Sequence, residues 1–258
     1  MSKDETDYTD EFAGGLELMW GEGFLSPGGP EEVGLIVHGL DLQGKKILDV
    51  GSGLGGPSIC LVSQHGAGPA VGIDLEPLNV ERATNYAAKA GVSERLTFQT
   101  VDVGRFPFED ESFDIVFSKD AIIEAPNKED IFLETYRVLR PSGWVAIGDW
   151  FRGSAPFTPE MKDWLRQAGV TLEMTTLDET ADQLRKIGFA EVLIEDRNAW
   201  YQDYSKREVE RMAGEDRHRF EQLLGEDETN DWIKTTSLKS RAVAQGQLRP
   251  GHLRARKP

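Results

Sequence analysis

Cysteine, histidine and long apolar runs are scarce in this sequence, and each scarcity excludes a class of protein. The 258 residues include one cysteine, Cys60, which excludes an internal disulfide and fits a reducing compartment. No apolar run approaches the roughly 20 residues that a membrane-spanning helix needs. The histidines show no metal-binding spacing with cysteines or acids, and we predict no metal site. They are His38, His65, His218 and His252.

Positive charge is also scarce in this chain. Lysine and arginine together number 29 against 45 aspartates and glutamates, which gives a net charge of −16. Phosphate contacts need clustered lysine and arginine, so nucleic acid is not expected as the main partner. The start of the chain is acidic and polar, unlike a signal peptide, and we expect a cytoplasmic protein with no membrane partner. The sequence predicts no particular oligomeric state.

The C-terminal segment reverses this charge balance, because no acid follows Asp231. Two interpretations stay open. The cations form a solvated helix and edge strand, or one of them lines an anionic group of a substrate. They are Lys234, Lys239, Arg241, Arg249, Arg254, Arg256 and Lys257.

A glycine-rich turn follows the apolar strand that ends at Val50. Gly51, Gly53 and Gly56 have the spacing Gly-x-Gly-x-x-Gly, which lets backbone approach a nucleotide closely. Enzymes that bind NAD share this spacing. Asp49, two residues before the turn, would repel a pyrophosphate but favours the ammonium and sulfonium of S-adenosylmethionine. The turn therefore predicts a site for S-adenosylmethionine.

Strand and helix signals alternate along the chain, which predicts an α/β fold with a doubly wound, mostly parallel sheet of Rossmann-like type. The predicted strands are 47–50, 70–74, 96–101, 113–117, 144–148, 190–194 and 252–256. The predicted helices are 57–65, 77–90, one that Asn127 caps and that runs to Arg140, 159–167, 176–187 and 205–244, the last interrupted near Gly225. We expect a single domain of 1–258, with an N-terminal helical lid at 1–40, a cofactor-binding core at 41–153, and a helical insertion and substrate-side part at 154–258.

Two acids end the second and third predicted strands. Asp74 can accept hydrogen bonds from both ribose hydroxyls of an adenosine, or it can cap the helix that follows Glu76. Asp102 can receive the adenine amino group, with Val103 beside the ring, or it can be a solvated loop acid. The carboxyl ends of parallel strands share one edge of the sheet, so we expect these residues to lie together.

The loop after the fourth strand carries candidates for the transfer chemistry. Methylation of an amine is an in-line displacement that needs alignment and a neutral nitrogen. A carboxylate nearby can take the proton and hold a cationic amine. Asp120 and Glu124 have this chemistry, although either could instead cap a helix or pair with Lys119. Ser118 begins this loop, and we include it among the cofactor residues.

Aromatic side chains cluster at predicted lid positions, where their faces could hold a methylated ammonium group or simply pack a core. The predicted substrate-side residues among them are Trp150, Trp164, Tyr201 and Tyr204. The others are Trp20, Phe24, Phe151 and Trp200.

The sequence resembles two related families. Over residues 45–150 it resembles class I S-adenosylmethionine-dependent methyltransferases, in the segments 49–53, Asp74, Asp102 and 139–143. Over nearly the whole chain it resembles phosphoethanolamine N-methyltransferases, which methylate phosphoethanolamine stepwise to phosphocholine. The segments that carry this likeness are 8–11, 20–29, 54–56 and 118–122.

The resemblance implies roles for particular residues. It makes Tyr8 one half of a catalytic tyrosine–histidine pair and gives Asp120 the amine. It places eight residues around the cofactor: Leu25, Ser26, Gly51, Gly53, Asp74, Leu75, Asp102 and Val103.

The sequence departs from the second family in two places. Glu124 stands where the family has its partner histidine, and the insertion reads Ala168 and Val170 where the family places phosphate-binding side chains. Both changes lower the positive character of the predicted pocket. We therefore expect an N-methyltransferase of a small polar amine, either phosphoethanolamine-like or, as we favour, unphosphorylated like the glycine derivatives. Methylation of sulfur or oxygen, and binding of S-adenosylmethionine without catalysis, stay open.

Overall fold

A seven-stranded sheet forms the centre of the computed structural model, which describes residues 9–125, 127–168 and 174–258. The spatial order of the strands is β3-β2-β1-β4-β5-β7-β6. The first five run parallel, and β7 lies antiparallel between β5 and β6. The strands are β1 Ile47–Val50, β2 Ala70–Asp74, β3 Leu96–Thr100, β4 Phe113–Lys119, β5 Leu139–Arg152, β6 Ala190–Asp196 and β7 Leu248–Arg256. The predicted doubly wound α/β sheet is confirmed.

Helices cover both faces of this sheet and extend beyond its carboxyl edge. Ten α-helices lie in the described residues: α1 Asp10–Trp20, α2 Gly29–Ile36, α3 Gly56–Gln64, α4 Pro77–Lys89, α5 Lys128–Val138, α6 Pro159–Ala168, α7 Leu177–Ile187, α8 Asn198–Ala213, α9 Arg217–Leu224 and α10 Glu226–Ala244. A short 3₁₀ helix, Ile122–Glu124, precedes α5. Helices α2, α3 and α4 pack on one face, and α5 and α7 pack on the other. None of the described helices is long and apolar enough to cross a membrane.

Local sequence sets several helix ends. Thr176 accepts a hydrogen bond from the Glu179 backbone N–H, and the Glu179 carboxylate accepts one from the Thr176 backbone in return. This reciprocal pair satisfies two otherwise unpaired N–H groups at the start of α7. Asn127 likewise accepts from the Glu129 N–H at the start of α5. The predicted cap at Asn127 is confirmed. The predicted helix start at 176 is one residue early, because Thr176 caps the helix.

The largest differences from the predicted elements lie at the antiparallel end of the sheet. Strand β5 was expected over 144–148 and β7 over 252–256, but both are longer. They pair continuously from Trp144 opposite Arg256 to Arg152 opposite Leu248. Hydrogen bonding between the two strands extends each of them beyond the apolar residues from which it was predicted. Helix α8 also begins at Asn198, earlier than the predicted start at Ser205.

The N-terminal and C-terminal helices form a common cap. Met19 of α1 packs with Met212 of α8 and Phe220 of α9, and Trp232 of α10 lies against them. A second apolar cluster joins Met161 of α6 to α8 and α10. The predicted helical lid and insertion thus meet above the sheet, while the predicted domain limits stay a prediction.

A buried ionic cluster fastens α2 to the antiparallel end of the sheet. The Glu32 carboxylate accepts two hydrogen bonds from the Arg197 guanidinium, at 3.1 and 2.9 Å, and lies 2.7 Å from His252 Nε2. Burial opposes ionisation of Glu32, but its hydrogen bonds to His252 and Arg197 outweigh it and lower its pKa below 4.5. Glu32 therefore stabilises the fold as a carboxylate.

Replacement of Glu32 with glutamine is expected to lower the free energy of unfolding by about 3 kcal/mol at pH 7, because the Arg197 guanidinium loses its buried carboxylate partner. A lowered carboxyl pKa gives stability that is present above the unfolded pKa and is lost as pH falls through the folded one. The deficit of Glu32→Gln should therefore shrink below about pH 4. Urea unfolding at several pH values measures it, with Glu81→Gln at an exposed position of α4 as the control. A deficit that does not change with pH would contradict this account.

Candidate active site

A cavity of about 880 Å³ lies at the carboxyl edge of the parallel strands, beneath the helical cap. The ends of β1, β2 and β4 form its floor, and α1, α6 and α10 contribute to its walls. Eight predicted cofactor residues line it: Leu25, Ser26, Gly51, Gly53, Asp74, Leu75, Asp102 and Val103. Asp120, Trp150 and Trp164 line it as well. The topology thus brings together residues that are far apart in the sequence.

The glycine turn after β1 forms part of the cavity floor. Gly51 and Gly53 have φ angles of 72° and 52°, in the left-handed region that favours glycine. A Cβ atom on Gly51 would lie 2.2 Å from the Ala121 Cβ, and one on Gly53 would lie 3.1 Å from a Leu25 methyl group. The turn therefore presents bare backbone to a ligand while neighbouring chain packs directly against it.

Asp74 at the end of β2 is hydrogen-bonded to the glycine turn and to the residue before α4. Its Oδ2 accepts a hydrogen bond of 2.8 Å from the Gly53 N–H, and its Oδ1 accepts one of 3.0 Å from the Glu76 N–H. The first bond ties the carboxylate to the turn, and the second ties it to Glu76, the residue before α4, which has no side-chain cap. A carboxylate oxygen can accept more than one hydrogen bond, so the fixed group can also receive ribose hydroxyls. Asp102 and Val103 follow β3 on the same wall.

Two other predicted cofactor residues lie beneath the turn. The Ser58 hydroxyl donates a hydrogen bond of 2.5 Å to Asp49, and the Ser118 hydroxyl donates one of 2.8 Å to the Val50 carbonyl. Burial raises the pKa of Asp49 to about 7, against the opposing hydrogen bond from Ser58. In the structure these side chains support the floor. Direct contact with a cofactor stays a prediction for both.

The loop after β4 is held tightly in place. Asp120 has φ 55°, which is uncommon for a non-glycine residue, and its N–H donates to the Gly148 carbonyl. The Lys119 ammonium contacts the Asp120 carboxylate at 2.7 Å, so the ion pair considered as an alternative is present. The same ammonium donates to Ser26 Oγ and the Pro27 carbonyl, which uses all three of its protons. Such strained positions are typical of sites where the surrounding structure fixes a functional group.

Asp149 is a buried carboxyl that sequence reasoning missed. It accepts hydrogen bonds from the backbone N–H groups of Trp150 and Ile123. Burial, and next the charge of Asp120, raise its pKa well above the ordinary value. Asp149 therefore holds the loop that carries Asp120 in position. Its apolar surroundings in strand β5 gave no sequence signal.

Aromatic side chains enclose the end of the cavity beneath the cap. Trp20, Trp150, Trp164 and Trp232 line it. Trp232 was missed, because its contribution depends on how α10 folds back over α1. The predicted Tyr201 is fully buried behind the wall, with its ring 4.7 Å from that of Trp150, and Tyr204 stacks on Tyr201 at 5.8 Å.

Two predicted catalytic residues fall partly or wholly outside the description. Tyr8 precedes the described residues. The backbone of Glu124 ends the 3₁₀ helix next to Ile123 and Ala125, which line the cavity, but its side chain is not among those described. Their roles stay predictions.

Within the described residues, no group of three His, Cys, Asp or Glu is arranged to hold a metal ion.

Comparison with known proteins places this geometry in a family. A sequence profile described as a methyltransferase domain matches residues 41–217. Phosphoethanolamine N-methyltransferase 3 of Arabidopsis thaliana is 32% identical over 77% of this chain and 40% of its own length. Phosphoethanolamine N-methyltransferase of Plasmodium falciparum is 30% identical over 77% of this chain and 74% of its own length.

A solved structure supports the same assignment. Haemonchus contortus phosphoethanolamine N-methyltransferase 2, in complex with phosphomonomethylethanolamine and S-adenosylhomocysteine, superposes with a TM-score of 0.90 and 26% identity. The match covers 99% of this chain and 59% of that protein. Fold and profile thus define a class I methyltransferase domain. Within that class, the chain belongs to the phosphoethanolamine N-methyltransferase family. It spans less than half the length of the plant relative.

Replacement of Asp49 with asparagine tests the buried carboxyl beneath the turn. A raised carboxyl pKa means that the folded protein holds its proton more tightly than the unfolded chain, so stability falls as pH rises from 3.8 to about 7. Asparagine removes this loss and can still accept from Ser58. Thermal unfolding should show the Tm of Asp49→Asn rising relative to the original protein between pH 5 and pH 8. Asp41→Asn on the surface is the control, and a constant difference would refute the assignment.

Replacement of Asp74 with asparagine tests the predicted role of this carboxylate in binding the cofactor. Losing charged hydrogen bonds costs about 1.5–3 kcal/mol each, so the affinity for S-adenosylhomocysteine should fall by at least about tenfold. Isothermal titration calorimetry measures this, and Glu81→Gln on exposed α4 is the control. Unchanged affinity would remove Asp74 from the site.

Proposed function

We propose that this chain is an S-adenosylmethionine-dependent N-methyltransferase whose acceptor is a small, cationic or zwitterionic amine without a phosphate group. The observation that carries the proposal is the charge of the cavity. Its described lining residues include seven carboxylates and two lysines. An acidic, aromatic cavity favours ammonium groups and disfavours a phosphate.

The cofactor half of the cavity suits the methyl donor. When bound there, S-adenosylmethionine supplies an electrophilic methyl group on a sulfonium. Asp74 is held by the Gly53 and Glu76 N–H groups in a position to accept ribose hydroxyls. Gly51 and Gly53 leave room for close approach of a ligand, and Asp102 and Val103, which line the cavity, are proposed to flank the adenine. The family assignment supports this use of the residues.

The other part of the cavity, which we assign to the amine acceptor and call the acceptor half, is acidic because its lysines are already paired with carboxylates. Lys119 is bound to Asp120, and Lys239 lies 3.2 Å from the Glu208 carboxylate. Asp120, Glu228 and Asp231 line the cavity around them. Four tryptophan side chains complete the wall, and aromatic faces attract methylated ammonium groups. Such a site could align a cationic amine beside the donor and exclude water.

Proton removal is assigned to residues near the β4 loop. Asp120 is positioned to hold the ammonium form of the amine, since its carboxylate is fixed at the cavity wall. Glu124 and Tyr8 are proposed to take the proton that the nitrogen must lose before it attacks. This assignment extends the family resemblance, with glutamate in place of histidine.

The insertion gives little support to phosphate binding. Arg166 pairs with Asp163 at 2.7 Å on an exposed face of α6, and its side chain is 75% exposed. Ala168 lines the cavity and offers no polar group, and Val170 lies outside the described residues. A phosphorylated amine is therefore the second candidate, supported by the names of the relatives.

Location and other partners stay predictions from composition. A cytoplasmic protein is supported by the single cysteine, Cys60, which is buried. The net charge of −16 supports the expectation that nucleic acid is not a partner.

A panel assay with methyl-labelled donor tests the proposal. Ethanolamine, sarcosine, dimethylglycine and phosphoethanolamine are compared by kcat/KM. An unphosphorylated amine should exceed phosphoethanolamine by at least about tenfold, which corresponds to about 1.4 kcal/mol of transition-state binding. A higher kcat/KM for phosphoethanolamine than for the unphosphorylated amines would contradict the proposed acceptor class. Tight S-adenosylhomocysteine binding with no turnover of any amine would instead indicate a non-catalytic protein.

Two variants separate nitrogen from sulfur as the acceptor atom. Tyr8→Phe and Glu124→Gln should each lower kcat by about 10²–10⁴-fold if they handle the amine proton. A thioether has no proton to lose, so activity that survives both changes would point to sulfur. Glu129→Gln, on the exposed start of α5, is the matched control.

A further inference from the structure

Asn79 is a buried amide side chain on the first turn of α4, and it lines the cavity beside Asp74. It is only 2% exposed. Its Nδ2 group donates a hydrogen bond of 3.4 Å to Asp74 Oδ1, which also accepts the bond of 3.0 Å from the Glu76 N–H. The other carboxylate oxygen accepts from the Gly53 N–H. The Asp74 carboxylate is therefore held by two backbone N–H groups and by the Asn79 amide.

The orientation of the Asn79 amide follows from its partner. A carboxylate accepts hydrogen bonds and donates none, so the amide nitrogen must face Asp74 and the amide oxygen must point away from it. Within the part of the chain that the structure describes, this oxygen is buried and has no hydrogen-bond partner. An acceptor is costly to bury unpaired, and a ligand that brings a donor to this oxygen would remove the cost.

Unpaired polar atoms at the cavity belong to the two segments that hold Asp74. Among the described residues, seven side chains carry a buried polar atom without a partner, and two of these side chains, Ser52 and Asn79, line the cavity. Ser52 lies in the glycine turn directly before Gly53, and Asn79 lies in α4. The unpaired atoms thus occur where the ribose of the cofactor is expected.

The ribose of the methyl donor has two adjacent hydroxyls, and each can donate one hydrogen bond. Both Asp74 oxygens already accept a bond from the backbone. The Asn79 oxygen is a further acceptor on the same wall, and it has no other described partner. A carboxylate and an amide oxygen together match a pair of hydroxyls better than the carboxylate alone.

We infer that Asn79 is a further residue of the cofactor site, which holds Asp74 by its amide N–H and accepts a hydrogen bond from a ribose hydroxyl by its amide oxygen. The inference rests on the ribose role proposed for Asp74 and does not depend on the identity of the methyl acceptor. The alternative is that Asn79 only fastens α4 to the end of β2. A fastening role would weaken the binding of every cofactor analogue alike, whereas a ribose contact is specific to one hydroxyl.

Replacement of Asn79 with leucine removes both hydrogen bonds and keeps a side chain of similar size. Isothermal titration calorimetry of the full chain gives the Kd of S-adenosylhomocysteine and of the analogues that lack the 2′-hydroxyl or the 3′-hydroxyl, with no need for turnover. In the original protein, loss of at least one hydroxyl should raise the Kd by at least about tenfold. In Asn79→Leu this penalty should shrink by at least about fivefold, because the acceptor of that hydroxyl is gone. Asn85→Leu, the same change at an exposed position of α4, should leave all three Kd values unchanged.

A smaller substitution keeps the inference testable if Asn79→Leu does not fold. Asn79→Ala also removes both hydrogen bonds, and the same reduction of the hydroxyl penalty is expected. Unchanged penalties in either folded variant would overturn the inference, even if all the affinities fall together, since that is the result of a fastening role. If the original protein binds all three ligands equally, the inference fails as well, and an unaffected Asp74→Asn would then show that the ribose role of Asp74 has failed with it. The panel assay of amines tests a different part of the cavity, so its outcome is separate from these ratios.

Discussion

The structure depends on backbone contact at the glycine turn after β1. The Gly56 N–H donates a hydrogen bond of 3.0 Å to the Gly23 carbonyl, and a Cβ atom on Gly56 would lie 2.5 Å from that oxygen. A Cβ atom on Gly51 would lie only 2.2 Å from the Ala121 Cβ, so that position also has no room for a side chain. The N-terminal segment, the β4 loop and the start of α3 are thus fixed by contacts that leave no room for side chains. The floor of the cavity and the seating of its cap follow from one constraint.

The carboxyl groups around the cavity differ in how deeply they are buried. The carboxyls nearest the sheet, Asp49 and Asp149, are buried and have raised pKa values, and each fixes a neighbouring backbone segment or hydroxyl. The next layer, represented by Asp120, is paired with a lysine yet reaches the cavity. Glu228 and Asp231 also line the cavity and are exposed to solvent. A positively charged ligand group in the cavity would therefore lie among carboxyl groups that differ in burial and in their hydrogen-bond partners.

The sequence was sufficient to place the residues that lie at the ends of the parallel strands. The turn at 51–56, Asp74 and Asp102 were predicted because strand ends converge on one edge of the sheet. Lys239 and Trp232 reach the cavity only because α10 folds back over α1, which no local pattern encodes. The predicted Tyr201 lies behind the wall for the same reason: its distance from the ligand depends on how the cap helices pack.

The position of β7 between β5 and β6 has a consequence for how the chain acquires its structure. Strand β6 pairs only with β7 among the described strands, and β5 also pairs with it on one side. During synthesis, β6 emerges before any neighbour exists for its backbone, and the intervening helices α8, α9 and α10 are made while that edge is still open. The half of the sheet from β1 to β4 can assemble early from strands close in sequence. Completion of the part of the cavity that α10 and Leu248 of β7 line must wait for residues 248–256.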